Sequence, residues 1–149
     1  MRAAYSCKLE IFRYLTEIGA DINIRDDDNN TALHWTAVSG NVDIIKFLLD
    51  RGMSANLTGQ NDCTPLHVSA EFGHLDSTKD LVERGAAINC KNKDGDTPLT
   101  MAAKRGKLEI IRYLTEIGAD IYIRDDDNNT ALHLAAESGC LDIINFLLE

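Results

Sequence analysis

Three of the four histidines recur at a spacing that could support shared chemistry. His34, His67 and His133 are separated by 33 and 66 residues. Imidazole is the most common metal ligand among side chains and a frequent general acid or base. The spacing argues against both roles, because the three positions lie far apart along the chain and Thr100 occupies the intervening one. The fourth, His74, is expected at the start of a helix and exposed to solvent.

Two acidic runs resemble the first half of a calcium-binding loop. Residues 26–30 and 125–129 both read Asp-Asp-Asp-Asn-Asn. A calcium loop of this kind requires Gly at its sixth position and Glu at its twelfth. The first run has Thr31 and Ala37 there, and the second has Thr and Ala as well. We therefore predict no metal site, with weak, unselective cation binding as the alternative.

No other motif points to catalysis. The chain has no nucleophile elbow, phosphate-binding loop, dinucleotide fingerprint or His-Glu-x-x-His pair. Its cysteines lack the Cys-x-x-Cys spacing of zinc and redox sites, and we expect reduced thiols at Cys7, Cys63, Cys90 and Cys140. We predict that the protein is not an enzyme and needs no cofactor.

The composition excludes several classes of partner. The 149 residues include 15 Lys and Arg against 24 Asp and Glu, a net charge of −9. This acidity disfavours nucleic acid and anionic membrane surfaces. No apolar run approaches the roughly 20 residues of a membrane span, and the first ten residues contain no signal-peptide core. We expect a cytoplasmic monomer, with the nucleus or a host cytosol as alternative locations.

A period of 33 residues organises the chain. Eight of the ten glycines obey it: Gly19, Gly52, Gly85 and Gly118, together with Gly40, Gly73, Gly106 and Gly139. Threonine, leucine and alanine recur in the same frame. The period divides the single domain 1–149 into a partial repeat 1–30, repeats 31–63, 64–96 and 97–129, and a partial repeat 130–149.

One repeat predicts two short helices and a loop. Thr31 is a favourable N-cap, the next residue is Pro or Ala, and Gly40 can end the first helix in a left-handed conformation. Residues 41–50 carry an apolar stripe and Gly52 follows them. Left-handed turns are expected two residues before each Thr, at Asn29, Asp62, Gly95 and Asn128. Such short helices must stack on their neighbours, which predicts an all-α solenoid of helix-turn-helix units with short hairpin loops.

A longer duplication overlies the period. Residues 8–34 and 107–133 are identical at 25 of 27 positions. The differences are Phe12 for Ile111 and Asn23 for Tyr122. Duplication of a block of three repeats within a longer array explains this similarity.

The repeats resemble those of the ankyrin-repeat family. Residues 64–70 read Thr-Pro-Leu-His-Val-Ser-Ala and residues 130–136 read Thr-Ala-Leu-His-Leu-Ala-Ala, close to the family signature. The resemblance covers essentially the whole chain. It implies a stack of helix pairs with projecting hairpins, a structural hydrogen-bonding role for the motif histidines, and binding to other proteins without catalysis.

The resemblance also implies two rows of partner-binding residues, on the hairpin tips and on the first helices. We expect a protein partner with basic groups facing the acidic outer hairpins and an apolar group near Phe72. Trp35 is a second anchor or, alternatively, is packed between helices. The hairpin row contains Asp27, Asp28, Asn30, Gln60, Asn61, Cys63, Lys93, Asp94, Asp96, Asp126, Asp127 and Asn129, and the helix row contains Trp35, Val38, Ser39, Glu71, Phe72, Lys104, Arg105, Glu137 and Ser138.

Departures from the pattern yield two further expectations. Ser77, Thr78 and Asp80 stand where sibling repeats carry apolar residues, so repeat 64–96 should be the least stable and should open first in hydrogen exchange. In addition, no following repeat would cover the apolar side chains of the last helix, Ile143, Ile144, Leu147 and Leu148. We thus predict an interaction module or scaffold. The alternatives are the recognition arm of a larger enzyme, channel or ubiquitin-ligase adaptor, and a host-directed effector of an intracellular microbe.

Overall fold

The structure, a computed structural model, describes residues 9–149, which form helices and loops without a strand. Cys7 and the start of the partial repeat 1–30 lie outside the described residues. The all-α fold predicted from the sequence is confirmed. The helices are α1 (Leu9–Glu17), α2 (Ala32–Ser39), α3 (Val42–Asp50), α4 (Pro65–Phe72), α5 (Leu75–Glu83), α6 (Pro98–Lys104), α7 (Leu108–Glu116), α8 (Ala131–Glu137) and α9 (Leu141–Leu148).

The helices stack in two parallel rows. The first helices of the repeats, α2, α4, α6 and α8, contact one another in chain order, and the second helices α1, α3, α5, α7 and α9 do the same. Between the rows, apolar side chains form two buried clusters. One surrounds Leu33, Ile44 and Leu66, and the other surrounds Leu99 and Ile110. Each helix therefore buries its apolar stripe against neighbouring repeats as well as its own partner helix.

The first helices begin at the predicted capping residues. Thr64 is the N-cap of α4, and its hydroxyl accepts from the backbone N–H of His67. Pro65 follows as the first helical residue, where its missing N–H costs no hydrogen bond. Gly73 ends the helix with φ of 80°, a conformation that glycine adopts without strain. Thr31, Thr97 and Thr130 are the N-caps of the other first helices, and alanine or proline follows each of them. The C-cap residue is glycine in α2 as well, but it is Arg105 in α6 and Ser138 in α8.

The motif histidines complete these caps and join successive repeats. The Nδ1 atom of His67 accepts a hydrogen bond from the backbone N–H of Thr64 at 3.1 Å. Its Nε2 atom therefore carries the proton and donates to the carbonyl oxygen of Asp96, in the following hairpin, at 3.0 Å. His34 makes the corresponding bond to the Cys63 carbonyl at 3.0 Å. The structural role that the resemblance implied for these residues is confirmed.

His74 departs from the expectation of a solvent-exposed side chain. It is the N-cap residue of α5 and is half-buried. Its Nε2 lies 2.9 Å from the carbonyl oxygen of Val38, in the preceding repeat. The imidazole also lies over Gly40, where an added Cβ would come within 2.5 Å of the ring. His74 is thus an inter-repeat contact, because the turn after α2 leaves the carbonyl of Val38 within its reach.

The loops close as hairpins without forming strands. In all four of them the residue five before the motif threonine donates its backbone N–H to the carbonyl oxygen of the residue just before that threonine, as from Asn92 to Asp96 at 2.9 Å. The expected left-handed positions have φ of 68° at Asn29, 57° at Asp62, 76° at Gly95 and 68° at Asn128, and Asn61 adds a further one at 54°. The hairpin before α4 is tighter and forms a 3₁₀ turn, Gln60–Asp62.

The polar residues of repeat 64–96 differ in how well they are satisfied. Thr78 is buried, and its hydroxyl has partners in the His74 carbonyl at 2.9 Å and the Ser69 hydroxyl at 3.1 Å. Ser77 is also buried, but its Oγ has no hydrogen-bond partner. The carboxylate of Asp80 lies 3.7 Å from the ammonium group of Lys46. The low stability expected of this repeat stays a prediction, and Ser77 is its principal structural support.

The last helix is better covered than expected. Ile143 is only 1% exposed because it packs into the second apolar cluster. Ile144 and Leu147 are half-buried in the same cluster, whereas Leu148 is 67% exposed. The preceding helices therefore cover Ile143, whereas Leu148 is largely exposed to solvent.

We predict opposite effects for two neighbouring substitutions in α5. Ser77→Ala should raise the free energy of unfolding by about 1 kcal/mol, because it removes a buried hydroxyl that lacks a partner. Thr78→Val should lower it by about 1 kcal/mol, because it breaks two hydrogen bonds and leaves the Ser69 hydroxyl with one partner fewer. Urea unfolding monitored by circular dichroism measures both. Equal destabilisation by the two variants would contradict this account of α5.

Candidate functional site

The hairpins and first helices line one continuous groove. It encloses about 480 Å³ across repeats 31–63, 64–96 and 97–129. The hairpins form one wall and the exposed sides of α2, α4 and α6 form the other. Eleven of the predicted binding residues line it: Asn30, Trp35, Val38, Gln60, Asn61, Cys63, Glu71, Phe72, Asp94, Asp96 and Arg105.

A second, more acidic groove follows towards the end of the array. It encloses about 370 Å³ between α6 and α8. Asp125, Leu134 and Ser138 form part of it, and the hydroxyl of Ser138 bonds the Ala103 carbonyl of the preceding repeat at 3.1 Å. Five predicted binding residues line this groove: Lys104, Asp127, Asn129, Glu137 and Ser138.

The other predicted residues lie outside both grooves. Asp27 and Asp28 are exposed at the tip of the first hairpin. Lys93 and Asp126 are exposed on later tips, and their backbone N–H groups bond the preceding hairpin at 2.9 and 3.0 Å. Ser39 is half-buried, and its hydroxyl bonds the Thr36 carbonyl. Their role in binding remains a prediction.

The centre of the first groove is apolar. Trp35, Val38, Val68, Phe72 and Met101 all line it. Phe72 is 47% exposed, an unusually large apolar surface for a residue in the middle of an array. Trp35 is half-buried against the first apolar cluster, so it both packs between elements and presents an edge to the groove. The two readings of Trp35 that the sequence left open are therefore compatible.

Several charged residues of the two predicted binding rows form ion pairs within the array. Arg105 holds one carboxylate oxygen of Glu71 with its Nε at 3.0 Å and its Nη2 at 2.7 Å. Lys104 donates to the carboxylate of Asp96 at 2.7 Å and lies 3.9 Å from that of Asp125. Each of these side chains bridges two neighbouring repeats, and its role in binding a partner stays a prediction.

Val68, Asn92 and Met101 also line the groove, although the sequence did not mark them as binding residues. The side-chain oxygen of Asn92 accepts the backbone N–H groups of Asp94 and Asp96 at 3.0 and 2.9 Å. Its amide nitrogen donates to the thiol of Cys63 at 3.4 Å. The 33-residue period offered a signal, since Asp26 and Asp125 occupy the equivalent position in other hairpins.

The pKa values of the titratable groups in the groove suit structural roles. Burial lowers the pKa of His34 and of His67 below its usual value of 6.5, so both are neutral at neutral pH. Burial raises the pKa of the Cys63 thiol, although the hydrogen bond from Asn92 opposes the effect. A protonated thiol is a poor nucleophile. Cys63, Cys90 and Cys140 are free thiols, and no group of three or more potential metal ligands occurs within residues 9–149.

The near-identical segments differ in one contact at the groove. The indole N–H of Trp35 donates to Asp26 Oδ2 at 2.7 Å. Burial tends to raise the pKa of Asp26, but this bond and the backbone N–H of Asn30 outweigh it, and the pKa is lowered. Trp35 directly follows the first segment, and the residue that directly follows the second segment is Leu134, so Asp125 lacks this donor. The amide of Asn129 approaches Asp125 Oδ2 only to 3.5 Å.

The 33-residue stacking, the threonine–histidine caps and the projecting hairpins together identify a family. The family model for ankyrin repeats (3 copies) matches residues 1–92 and 74–149. The chain belongs to the ankyrin-repeat family. A search of curated proteins finds no match. Ankyrin repeats are generally protein–protein interaction modules and are typically not catalytic. Within residues 9–149 no helix has the length and apolar character needed to span a bilayer.

We predict that the stability of this array falls as the pH drops below about 6.5. His34 and His67 have lowered pKa values when folded, so the unfolded chain binds protons more readily. Their contribution is complete above pH 6.5 and is lost as the pH falls towards the folded-state pKa. The double variant His34→Thr plus His67→Thr introduces at both positions the residue that repeat 97–129 carries there, Thr100. The hydroxyl of Thr100 accepts a hydrogen bond from the Thr97 N–H at 2.8 Å.

The double variant should therefore keep its caps while the free energy of unfolding becomes less dependent on pH. Urea titrations at several pH values provide the measurement. His133→Thr, in the last repeat, serves as a control for the substitution itself. A pH dependence identical to that of the wild type would show that other groups control acid stability.

Proposed function

We propose that the chain is a non-catalytic protein-interaction scaffold whose partner occupies the first groove. The observation that carries the proposal is the half-exposed Phe72, set beside Trp35, Val68 and Met101 between two polar walls. Partly exposed aromatic side chains in concave sites are common anchors of protein interfaces. We place residues 1–149 in one domain and take it to act as a monomer in the cytoplasm.

The groove favours an extended segment of the partner. Its hairpin wall carries the side chains of Asn30, Gln60, Asn61 and Asn92. Amide groups can both donate and accept, which suits the backbone of an extended peptide. The apolar centre would receive one apolar side chain of that segment. Because inter-repeat bonds to Gln60 and Cys63 already fix the side chains of Asn30 and Asn92, binding costs little further side-chain ordering.

The acidic tips set the charge that the partner should carry. Asp27 and Asp28 are exposed near one end of the groove, and Asp126 and Asp127 are exposed near the other. No basic side chain forms an ion pair with these four carboxylates within residues 9–149. They therefore favour a partner with basic residues on either side of the apolar anchor, and the field they create would speed its approach.

Removal of the Phe72 ring should abolish most of the binding. Peptides can be selected from a random displayed library on the wild-type chain, synthesised, and measured by fluorescence anisotropy. We expect Phe72→Ala to weaken the selected peptides by about tenfold or more, as for an interface hot spot. Tyr122→Ala is the matched control, because Tyr122 is 77% exposed and does not line the groove. Equal affinities for Phe72→Ala and the wild type would place the binding surface elsewhere.

Neutralising the first acidic tip should act mainly on association. For selected peptides that carry lysine or arginine, Asp27→Asn plus Asp28→Asn should slow association about threefold at low salt and reduce its dependence on ionic strength. Glu109→Gln plus Glu116→Gln removes the same charge from exposed positions of α7. Stopped-flow fluorescence at several salt concentrations measures both. If the two double variants slow association equally, the net charge of the chain and not the position of the acidic tip controls the association rate.

A further inference from the structure

One position of the first helices carries a different apolar residue in each repeat. The four residues, 33 positions apart, are Trp35, Val68, Met101 and Leu134. The first helices contact one another in chain order, so Val68 lies between Trp35 and Met101 along the first groove, which all three line. Valine is the smallest of the four residues. The side chain at this position is therefore smallest in the middle of the groove.

In the flanking repeats the residue at this position reaches a side chain of the hairpin before its helix. The indole N–H of Trp35 donates to Asp26 Oδ2 at 2.7 Å, and the Met101 sulfur lies 4.0 Å from the amide nitrogen of Asn92. The period places Gly59 at the equivalent hairpin position of the middle repeat. Because glycine has no side chain, this contact between hairpin and helix is missing there.

The preceding repeat requires glycine at position 59. A Cβ there would overlap the side-chain oxygen of Asn30 and would lie 2.9 Å from the His34 ring. A larger residue would move the hairpin and break the bond from the Gln60 backbone N–H to Asn30 at 3.0 Å. The hairpin is thus held in place without a side chain that could cover Val68.

Apolar side chains surround the open space above Val68. Phe72 follows four residues later on α4, so the two side chains lie on the same face of that helix, and Phe72 is 47% exposed. Trp35 and Met101 line the groove on the two flanking helices. The space is therefore bordered by two aromatic rings and a thioether.

An uncharged group suits this space better than a cationic one. Three carboxylates line the groove, those of Glu71, Asp94 and Asp96. Glu71 is paired with Arg105 and Asp96 is paired with Lys104, each at 2.7 Å. Asp94 is exposed to water on its hairpin. The floor of the groove therefore offers little uncompensated negative charge.

We propose that Val68 opens a subsite for one aromatic side chain of the partner, and that its small size selects this class of residue. The inference rests on the proposed function, because it assigns the anchor of the segment placed in the first groove. Aromatic rings pair favourably with other rings and with the sulfur of methionine, which matches the borders of this space. The exposed amide groups of Gln60 and Asn61 can bond the polar atom of a tryptophan or tyrosine anchor.

Peptides selected from a random displayed library on the wild-type chain reveal the anchor. We expect most of the selected sequences to share one aromatic position. Replacement of that residue by alanine in a synthetic peptide should weaken binding about tenfold or more, as for an interface hot spot. Fluorescence anisotropy measures the dissociation constants, with competition titrations for the weaker peptides.

Substitutions at Val68 test the subsite from the side of the array. Val68→Met introduces the residue type of the next repeat and should weaken the aromatic peptide about tenfold, but the alanine peptide less than about threefold, because only the ring needs the space. Val68→Ala enlarges the space and should shift the preference from phenylalanine towards tryptophan about threefold. Val42→Met is the matched control, since Val42 is half-buried on α3 and does not line the groove. Circular dichroism verifies that each variant is folded.

The outcomes separate the subsite from the groove itself. Selected sequences without a shared aromatic position, or equal losses of the aromatic and alanine peptides in Val68→Met, would overturn the subsite. A peptide that loses affinity in Phe72→Ala and none in Val68→Met would contradict only the assignment of the anchor. If the library yields no peptide, or if the selected peptides bind Phe72→Ala as tightly as the wild type, the proposed function fails as well.

Discussion

None of the helices is long enough to persist alone, and the rest of the structure depends on this constraint. The helices between residues 9 and 149 span seven to nine residues, whereas an isolated helix in water is marginal even at about 12–15 residues. Each repeat must therefore obtain its stability from contacts with its neighbours. The hydrogen bonds from His34 and His67 to the next hairpin satisfy polar groups in the same interfaces that bury Leu66 and Ile110.

The same dependence makes the concave face a preformed surface. Hairpins that are bonded to one another, as from Lys93 to Asn61, cannot move independently. The paired side chains of Glu71 and Arg105 add a further tie between first helices. A partner that enters the groove therefore contacts side chains that folding has already ordered. In the proposed complex, specificity would then rest chiefly on the half-exposed ring of Phe72 and on the acidic tips, which form no ion pair within residues 9–149.

Features confined to one repeat could be predicted from the sequence, and features that bridge repeats could not. Thr64, Gly73 and Asn128 act on the backbone around them, so their residue types and positions sufficed. The pairing of Arg105 with Glu71 joins residues 34 positions apart. It depends on how far adjacent helices are offset and on the rotamers that long side chains adopt, neither of which a periodic pattern encodes. The contacts of His74 and Asn92 with neighbouring repeats could not be predicted for the same reason.

The near-identity of residues 8–34 and 107–133 has a consequence for how the chain reaches this state. During folding, either segment presents almost the same caps, turns and apolar stripe to the repeat that should pack on it. Ile11 and its counterpart Ile110 end in different surroundings, 38% and 1% exposed. Capture of the wrong segment would thus form most native local contacts in a shifted register. Such internal ambiguity favours kinetic traps and exchange of segments between molecules. Only Phe12 and Asn23 within the first segment, and Trp35 directly after it, differ from their counterparts and so distinguish the correct assembly.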